Sequence, residues 1–234
     1  MDTALPTTLA EDWRSWFTTE ATRPRGLDIY PELFMHPVLF PLQRQREMAA
    51  MMRTASDINP TIVMEIGADK GGGFYHWIKC HPGVRRAIAC EIRGTPYAEA
   101  FRQAFPEIDF LFLPESSRTR FSLESVRKFL GRDLLSCLFI DGDKEHCEDD
   151  FYLYLPFMRY EGLICLHDIH GEAKPVQVFN KLCQAFLKNS TLIDFSEGEE
   201  AMARGERGEP ILSCYEGWLR VWKTTSCGVG CIWV

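Results

Sequence analysis

The sequence has no apolar run approaching the ~18–20 residues that a membrane-spanning helix requires. It has no G-x-G-x-x-G, the spacing that lets backbone approach a dinucleotide pyrophosphate. Basic residues are in deficit, 26 against 33 acidic, and the net charge of −7 argues against a general nucleic-acid binder. There is no internal repeat and no low-complexity tract. The opening stretch, MDTALPTTLAEDWRSW, lacks the basic-then-apolar pattern of a secretory signal, so a cytoplasmic protein is expected. Cysteine is not scarce, but nine is an odd number and the residues are scattered. Cys90, Cys137 and Cys165 sit inside apolar strand candidates, as buried free thiols of a reducing compartment do. Cys227 and Cys231 have no matching Cys/His pair elsewhere, which argues against a zinc site.

What is present is ordinary globular content, 46% hydrophobic and 25% charged. The length of 234 residues suits one large α/β domain, or a domain with a small extension. The most informative stretch is Ile62 to Gly73, IVMEIGADKGGG. An apolar strand ends near Glu65, a turn follows at Gly67, and Gly71, Gly72 and Gly73 open a helix. This is the first βα unit of a nucleotide-binding α/β fold. Asp69 joins Glu65 in the loop, and two carboxylates would repel a pyrophosphate. They suit a ligand with positive charge, such as the ammonium and sulfonium of S-adenosylmethionine. Glycine lets the chain pass close under such a ligand. A glycine-rich turn after a buried strand, with no ligand, is the plainer reading of the same residues.

Before this unit, Leu9, Trp13, Trp16 and Phe17 recur at helical spacing. Their face would pack on the main domain or on a second copy of the chain. Four prolines between 21 and 41 mark a surface linker. Helical pattern returns from Leu42 to Ala55, and Asn59-Pro60 ends it. Residues 1–58 thus form a helical extension, with a lid as one role and plain packing as the other. Residues 59–234 form the Rossmann-like domain: a doubly wound, mostly parallel sheet with an antiparallel C-terminal strand.

Further strands are expected at Arg86–Ile92, Ile108–Leu113, Leu134–Ile140, Gly162–Leu166 and Thr191–Phe195. Helices are expected after Gly73, over Tyr97–Phe105, Phe121–Leu130, Glu148–Arg159 and Pro175–Lys188. The segment Glu197–Glu209 reads as a loop. Of two extended C-terminal segments, Trp218–Trp222 and Gly228–Val234, the latter is the better final strand. Glu91, 26 residues after Glu65, is placed to accept hydrogen bonds from both ribose hydroxyls of an adenosyl group. Ser116 and Ser117 follow the third strand, where an adenine ring would find a donor. Strand four ends at Asp141-Gly142-Asp143-Lys144-Glu145-His146, and strand five at His167-Asp168-Ile169-His170. In open α/β sheets that edge is the ligand edge. Asp141, His167 and Asp168 could bind a divalent cation. His146, His167 or His170 could serve as general base.

The ordered set EIGxxxGG, a strand ending in Glu, FIDGD, and LPFMRYEGLICLHDIHG resembles class I S-adenosylmethionine-dependent methyltransferases. It is most similar to the group of cephalosporin hydroxylase-type proteins and macrolide and sugar O-methyltransferases, over residues 42 to 190. The resemblance implies that Glu65, Gly67 and Gly71 frame the methionine part and that Glu91 holds the ribose. It implies that Asp141, His167 and Asp168 occupy the metal positions, for Mg2+ or another divalent cation. The acceptor would be a small hydroxylated molecule or sugar. Two positions depart from the family's pattern. His167 replaces an acidic residue, tilting the set toward softer metals or none. Lys144 stands where a histidine base is common, leaving His146, Asp141 and Lys144 as the catalytic candidates. An S-adenosylmethionine-binding protein without turnover, or another nucleotide-dependent enzyme, is the alternative.

Overall fold

The computed structural model describes residues 25–26, 43, 45–170, 173–185, 190–193 and 227–234. The expected N-terminal amphipathic helix, most of the proline-rich linker, the 197–209 loop and the Trp218–Trp222 segment lie outside these residues.

Seven strands form one sheet in the order β3-β2-β1-β4-β5-β7-β6. They are β1 (Ile62–Ile66), β2 (Arg86–Cys90), β3 (Asp109–Leu113), β4 (Leu135–Ile140), β5 (Met158–His170), β6 (Ser190–Ile193) and β7 (Cys227–Trp233). β1 to β5 pair in parallel, and β7 runs antiparallel between β5 and β6. The doubly wound sheet and its antiparallel C-terminal strand are as the sequence indicates.

The helices are α1 (Gln45–Ser56), α2 (Gly72–Cys80), α3 (Ala98–Ala104), α4 (Arg120–Leu130), α5 (Cys147–Tyr154) and α6 (Ala173–Ala185). Alternate strand residues feed two separate cores, as expected of parallel strands covered on both faces. Val63, Phe139 and Leu163 pack with Met48, Phe74 and Phe101, from α1, α2 and α3. Met64, Leu138 and Ile164 pack with Val126, Phe151 and Leu182, from α4, α5 and α6. α1 is integral to its core, since Met48, Met51, Met52 and Ala55 are fully buried. α4 begins at an N-cap, where the Thr119 hydroxyl accepts from the Ser122 N–H at 3.0 Å.

Several expected boundaries shift: β2 was expected to reach Ile92 and ends at Cys90, and β5 was expected over Gly162–Leu166 and spans Met158–His170. Helix was expected to run from Glu148 to Arg159, but α5 stops at Tyr154 and a 3-10 turn, Leu155–Phe157, leads into β5 at Met158. Pro156 explains this, because it offers no N–H for the helix to continue. Among the described residues the seven free cysteines are all buried. Cys231 lies in β7 with its Sγ 3.5 Å from that of Cys165. No described helix is long and apolar enough to cross a membrane.

Candidate functional site

The strand register sets the site. Ile66 pairs with Cys90 on one side and Ile140 on the other, and Ile140 pairs with Leu166. Gly67, Glu91, Asp141 and His167 therefore stand one step beyond a level edge. The edge lies where the chain reverses direction across the sheet, between β1 and β4, the usual ligand crevice of open α/β sheets. A cavity of about 670 Å3 opens there.

The loop after β1 is shaped by close approach. Gly67 has φ +85°, and a Cβ there would stand 2.4 Å from the backbone oxygen of Asp141. The Gly67 N–H donates to the Cys90 carbonyl at 2.8 Å, and the Asp141 N–H donates to the Ile66 carbonyl at 2.8 Å. Gly71, with φ +86°, passes over the Tyr97 ring and precedes α2. Only glycine adopts this conformation freely with so little space. Asp69 also has a positive φ, +41°.

Glu91 lines the cavity and is only 7% exposed. Its Oε2 accepts the Asp69 N–H at 2.8 Å and its Oε1 accepts the Arg93 N–H at 2.9 Å. The carboxylate thus ties the end of β2 to the glycine loop. Glu65 lies behind the cavity rather than on its wall. It is buried, and its Oε2 has no hydrogen-bond partner among the described residues. Burial and the nearby carboxylates of Asp141, Glu91 and Asp69 push its pKa well above the usual carboxylate range, against the pull of His167. Gly73 gives this side chain room, since a Cβ there would stand 2.6 Å from Glu65 Oε1 and 3.4 Å from Gln43 Oε1.

On the other side of the cavity Asp141, Lys144, His167 and Asp168 form one cluster. Lys144 Nζ donates to Asp141 Oδ1 and, at 2.8 Å, to Asp168 Oδ2. His167 Nδ1 stands 2.9 Å from Asp141 Oδ1 and 3.3 Å from Asp168 Oδ1. Gln43 Nε2 donates to Asp141 Oδ2. A left-handed turn at Asp168, φ +56°, coincides with a register shift in β5 beyond His167. Such bulges re-aim side chains, and this one brings the Asp168 carboxylate to Lys144.

Burial opposes charge on Asp141, but His167 and Lys144 outweigh it and hold the carboxyl below its ordinary pKa. Burial likewise opposes charge on Asp168, and the same two cations hold it far below the carboxylate range. Burial works against the imidazolium of His167, yet Asp141 and Asp168 push its pKa up to about 10. Lys144 follows the same logic and is raised. None of these four shifts brings a group closer to its uncharged form at neutral pH.

Of the residues singled out in the sequence, Gly67, Asp69, Glu91, Ser116, Asp141 and Lys144 share the cavity wall. Ser117, His167 and Asp168 also line it. The Ser117 hydroxyl is directed at structure, donating to Asp150 at 2.6 Å. Ser116 Oγ instead accepts the Arg118 N–H at 3.4 Å. His146 is not on the wall: its imidazole is half exposed and bonds Asp149 at 2.8 Å. Its displacement follows from the 3-10 turn Lys144–His146, which carries Lys144 inward and His146 outward. His170 ends β5, beyond the irregular register, and only its backbone is described.

Sequence reasoning missed several wall or cluster residues, Arg93 among them. Gln43 carried no signal, being one amide in a polar run. Ile92 is 70% exposed at the wall, an apolar residue beside Glu91 that no core claims. Arg118, in the loop after β3, bridges to Asp143 in the loop after β4 at 3.3 Å.

No family model matches the chain, and no curated protein matches it by sequence. Solved structures do match it in three dimensions. An O-methyltransferase from Bacillus cereus, in complex with SAH, superposes with TM-score 0.54 at 12% identity, over 100% of this chain and 93% of that one. The O-methyltransferase TomG from Streptomyces achromogenes, in complex with SAM, gives 0.52 at 13% identity, over 96% and 97%. The C-terminal domain of precorrin-6Y C5,15-methyltransferase from Rhodobacter capsulatus gives 0.52 at 12% identity, over 90% and 98%. At these identities the likeness is one of fold.

Proposed function

We propose that the protein is an S-adenosylmethionine-dependent methyltransferase acting on a hydroxyl of a small molecule. The observation that carries the reading is the set of carboxylates brought to one crevice by the ends of β1, β2 and β4. Glu91 faces the cavity with an acceptor group for ribose hydroxyls. Glu65 offers a buried oxygen without a partner among the described residues, suited to an ammonium. Ile92 presents an apolar surface beside Glu91 for a flat base. The fold neighbours solved with SAM and SAH support this choice of ligand over a dinucleotide.

The cofactor supplies an activated methyl group on sulfur. The acceptor oxygen attacks the methyl carbon, the carbon–sulfur bond breaks, and the electron pair passes to sulfur. The acceptor's proton leaves to solvent, since the cluster groups are held in their charged forms. The chain contributes alignment and fixed charge: Glu91 and the glycine loop orient the donor, and Lys144 presents a positive hydrogen-bond donor at the cavity wall. Those held charges also favour one second reading, a protein that binds the cofactor without turnover.

Methyl-tritiated S-adenosylmethionine, incubated with the protein and pooled hydroxylated acceptors, tests this. Acid-stable label in an acceptor with equal release of the demethylated cofactor is expected. Cofactor binding without label would favour the binding protein. No binding would remove the reading.

A further inference from the structure

Three candidate groups, Asp141, His167 and Asp168, hold ligand-type atoms within 4.8 Å of one another, a span that suits a single metal ion. The residues nevertheless do not fit one. Lys144 Nζ already bonds Asp141 Oδ1 and Asp168 Oδ2, the oxygens an ion would bridge. His167 Nδ1 lies near carboxylate oxygens of both aspartates, and carboxylates only accept, so this nitrogen carries hydrogen and offers no lone pair, while Nε2 is itself buried. Asp141 Oδ2 is taken by Gln43. Mg2+ demands near-octahedral oxygen ligands at about 2.0–2.1 Å, which this set does not supply.

We propose that Lys144 is the resident cation of this site, its ammonium standing between Asp141 and Asp168 in place of a divalent ion. The lysine comes from the 3-10 turn after β4, and its partner Asp168 from the left-handed turn in β5, so two independent backbone features converge on one contact. An ammonium has three N–H groups. Two are taken by the carboxylates, and the Asp141 carbonyl lies at a marginal 3.5 Å, leaving one for a ligand oxygen in the cavity that Lys144 lines. A metal could chelate two oxygens, whereas this donor holds one. That last role rests on the methyltransferase reading; the exclusion of the ion does not.

The test is Mn2+ titration of the full chain, read by loss of the free-ion electron paramagnetic resonance signal, with no cofactor present. Wild type should leave the free signal intact to about 1 mM. Lys144→Ala and Lys144→Gln, each checked for a native circular dichroism spectrum, should free the carboxylate pair and gain at least tenfold in Mn2+ affinity. Asp168→Asn placed on Lys144→Gln should cancel that gain. Submillimolar binding by wild type that Asp168→Asn abolishes would overturn the proposal, as would folded Lys144 variants that bind no better than wild type. Because the readout needs neither cofactor nor turnover, a protein that fails to bind S-adenosylmethionine loses the methyltransferase reading without touching this result.

Discussion

Glu91 Oε2 accepts the Asp69 N–H at 2.8 Å, so the residue assigned to the ribose also fastens the glycine loop to the end of β2. Two roles on one carboxylate make different substitutions separable. Glu91→Gln retains acceptor oxygen for one loop N–H but brings an NH2 group to the other. A net stability loss of about 1–2 kcal/mol is expected from the mispaired N–H. Glu91→Ala loses both bonds and should cost more. Urea denaturation of the two variants measures the order.

The Glu65 oxygen without a partner among the described residues predicts an opposition between stability and binding. A carboxyl whose pKa is raised by folding costs stability at every pH above its unfolded value. Glu65→Gln removes that cost, so the melting temperature at pH 7 should rise, by roughly 2–4 °C for each kcal/mol recovered. Affinity for S-adenosylmethionine should fall at the same time. A strongly lowered melting temperature would mean that the carboxylate is a paired structural group instead.

His167 sets a pH dependence with a definite sign. Its pKa in the fold is pushed up to about 10 from an ordinary 6.5. The proton is therefore held more tightly by the folded chain, and the stabilisation is complete below about 6.5. It declines as pH rises toward 10. Denaturation at pH 6, 8 and 9.5 should show this decline in wild type, and a shallower one in His167→Gln. Equal slopes would contradict the ion-pair assignment.

Gly67→Ala tests the crossing of the β1 and β4 loops. The new Cβ would lie 2.4 Å from the Asp141 backbone oxygen at a φ of +85°. Backbone cannot yield as a flexible side chain can, so a loss of roughly 2–4 kcal/mol is expected by thermal or urea unfolding. A change within about 0.5 kcal/mol, the range of a neutral surface substitution, would mean that the loop is not held there.

The sheet was legible because β1 to β5 each contain an apolar run and the turns are marked by glycine, proline or charge. The carboxyl edge was legible for the same reason: Glu91, Asp141 and His167 each directly follow such a run. Pairwise geometry was not. Nothing in the sequence says that Lys144 turns inward and His146 outward, because a 3-10 turn and an α-helix share the same local composition. Gln43 was illegible since its partner Asp141 is 98 residues away. The left-handed turn at Asp168 was hidden too, as aspartate tolerates that conformation without a glycine to announce it.

The most direct test of the central claim is calorimetric titration of wild type and Glu91→Ala with S-adenosylmethionine, beside NAD+ as a control. Micromolar binding of S-adenosylmethionine by wild type, weakened at least tenfold in a folded Glu91→Ala variant and absent for NAD+, is the predicted result. Tight NAD+ binding, or S-adenosylmethionine binding indifferent to Glu91, would contradict the assignment of this crevice.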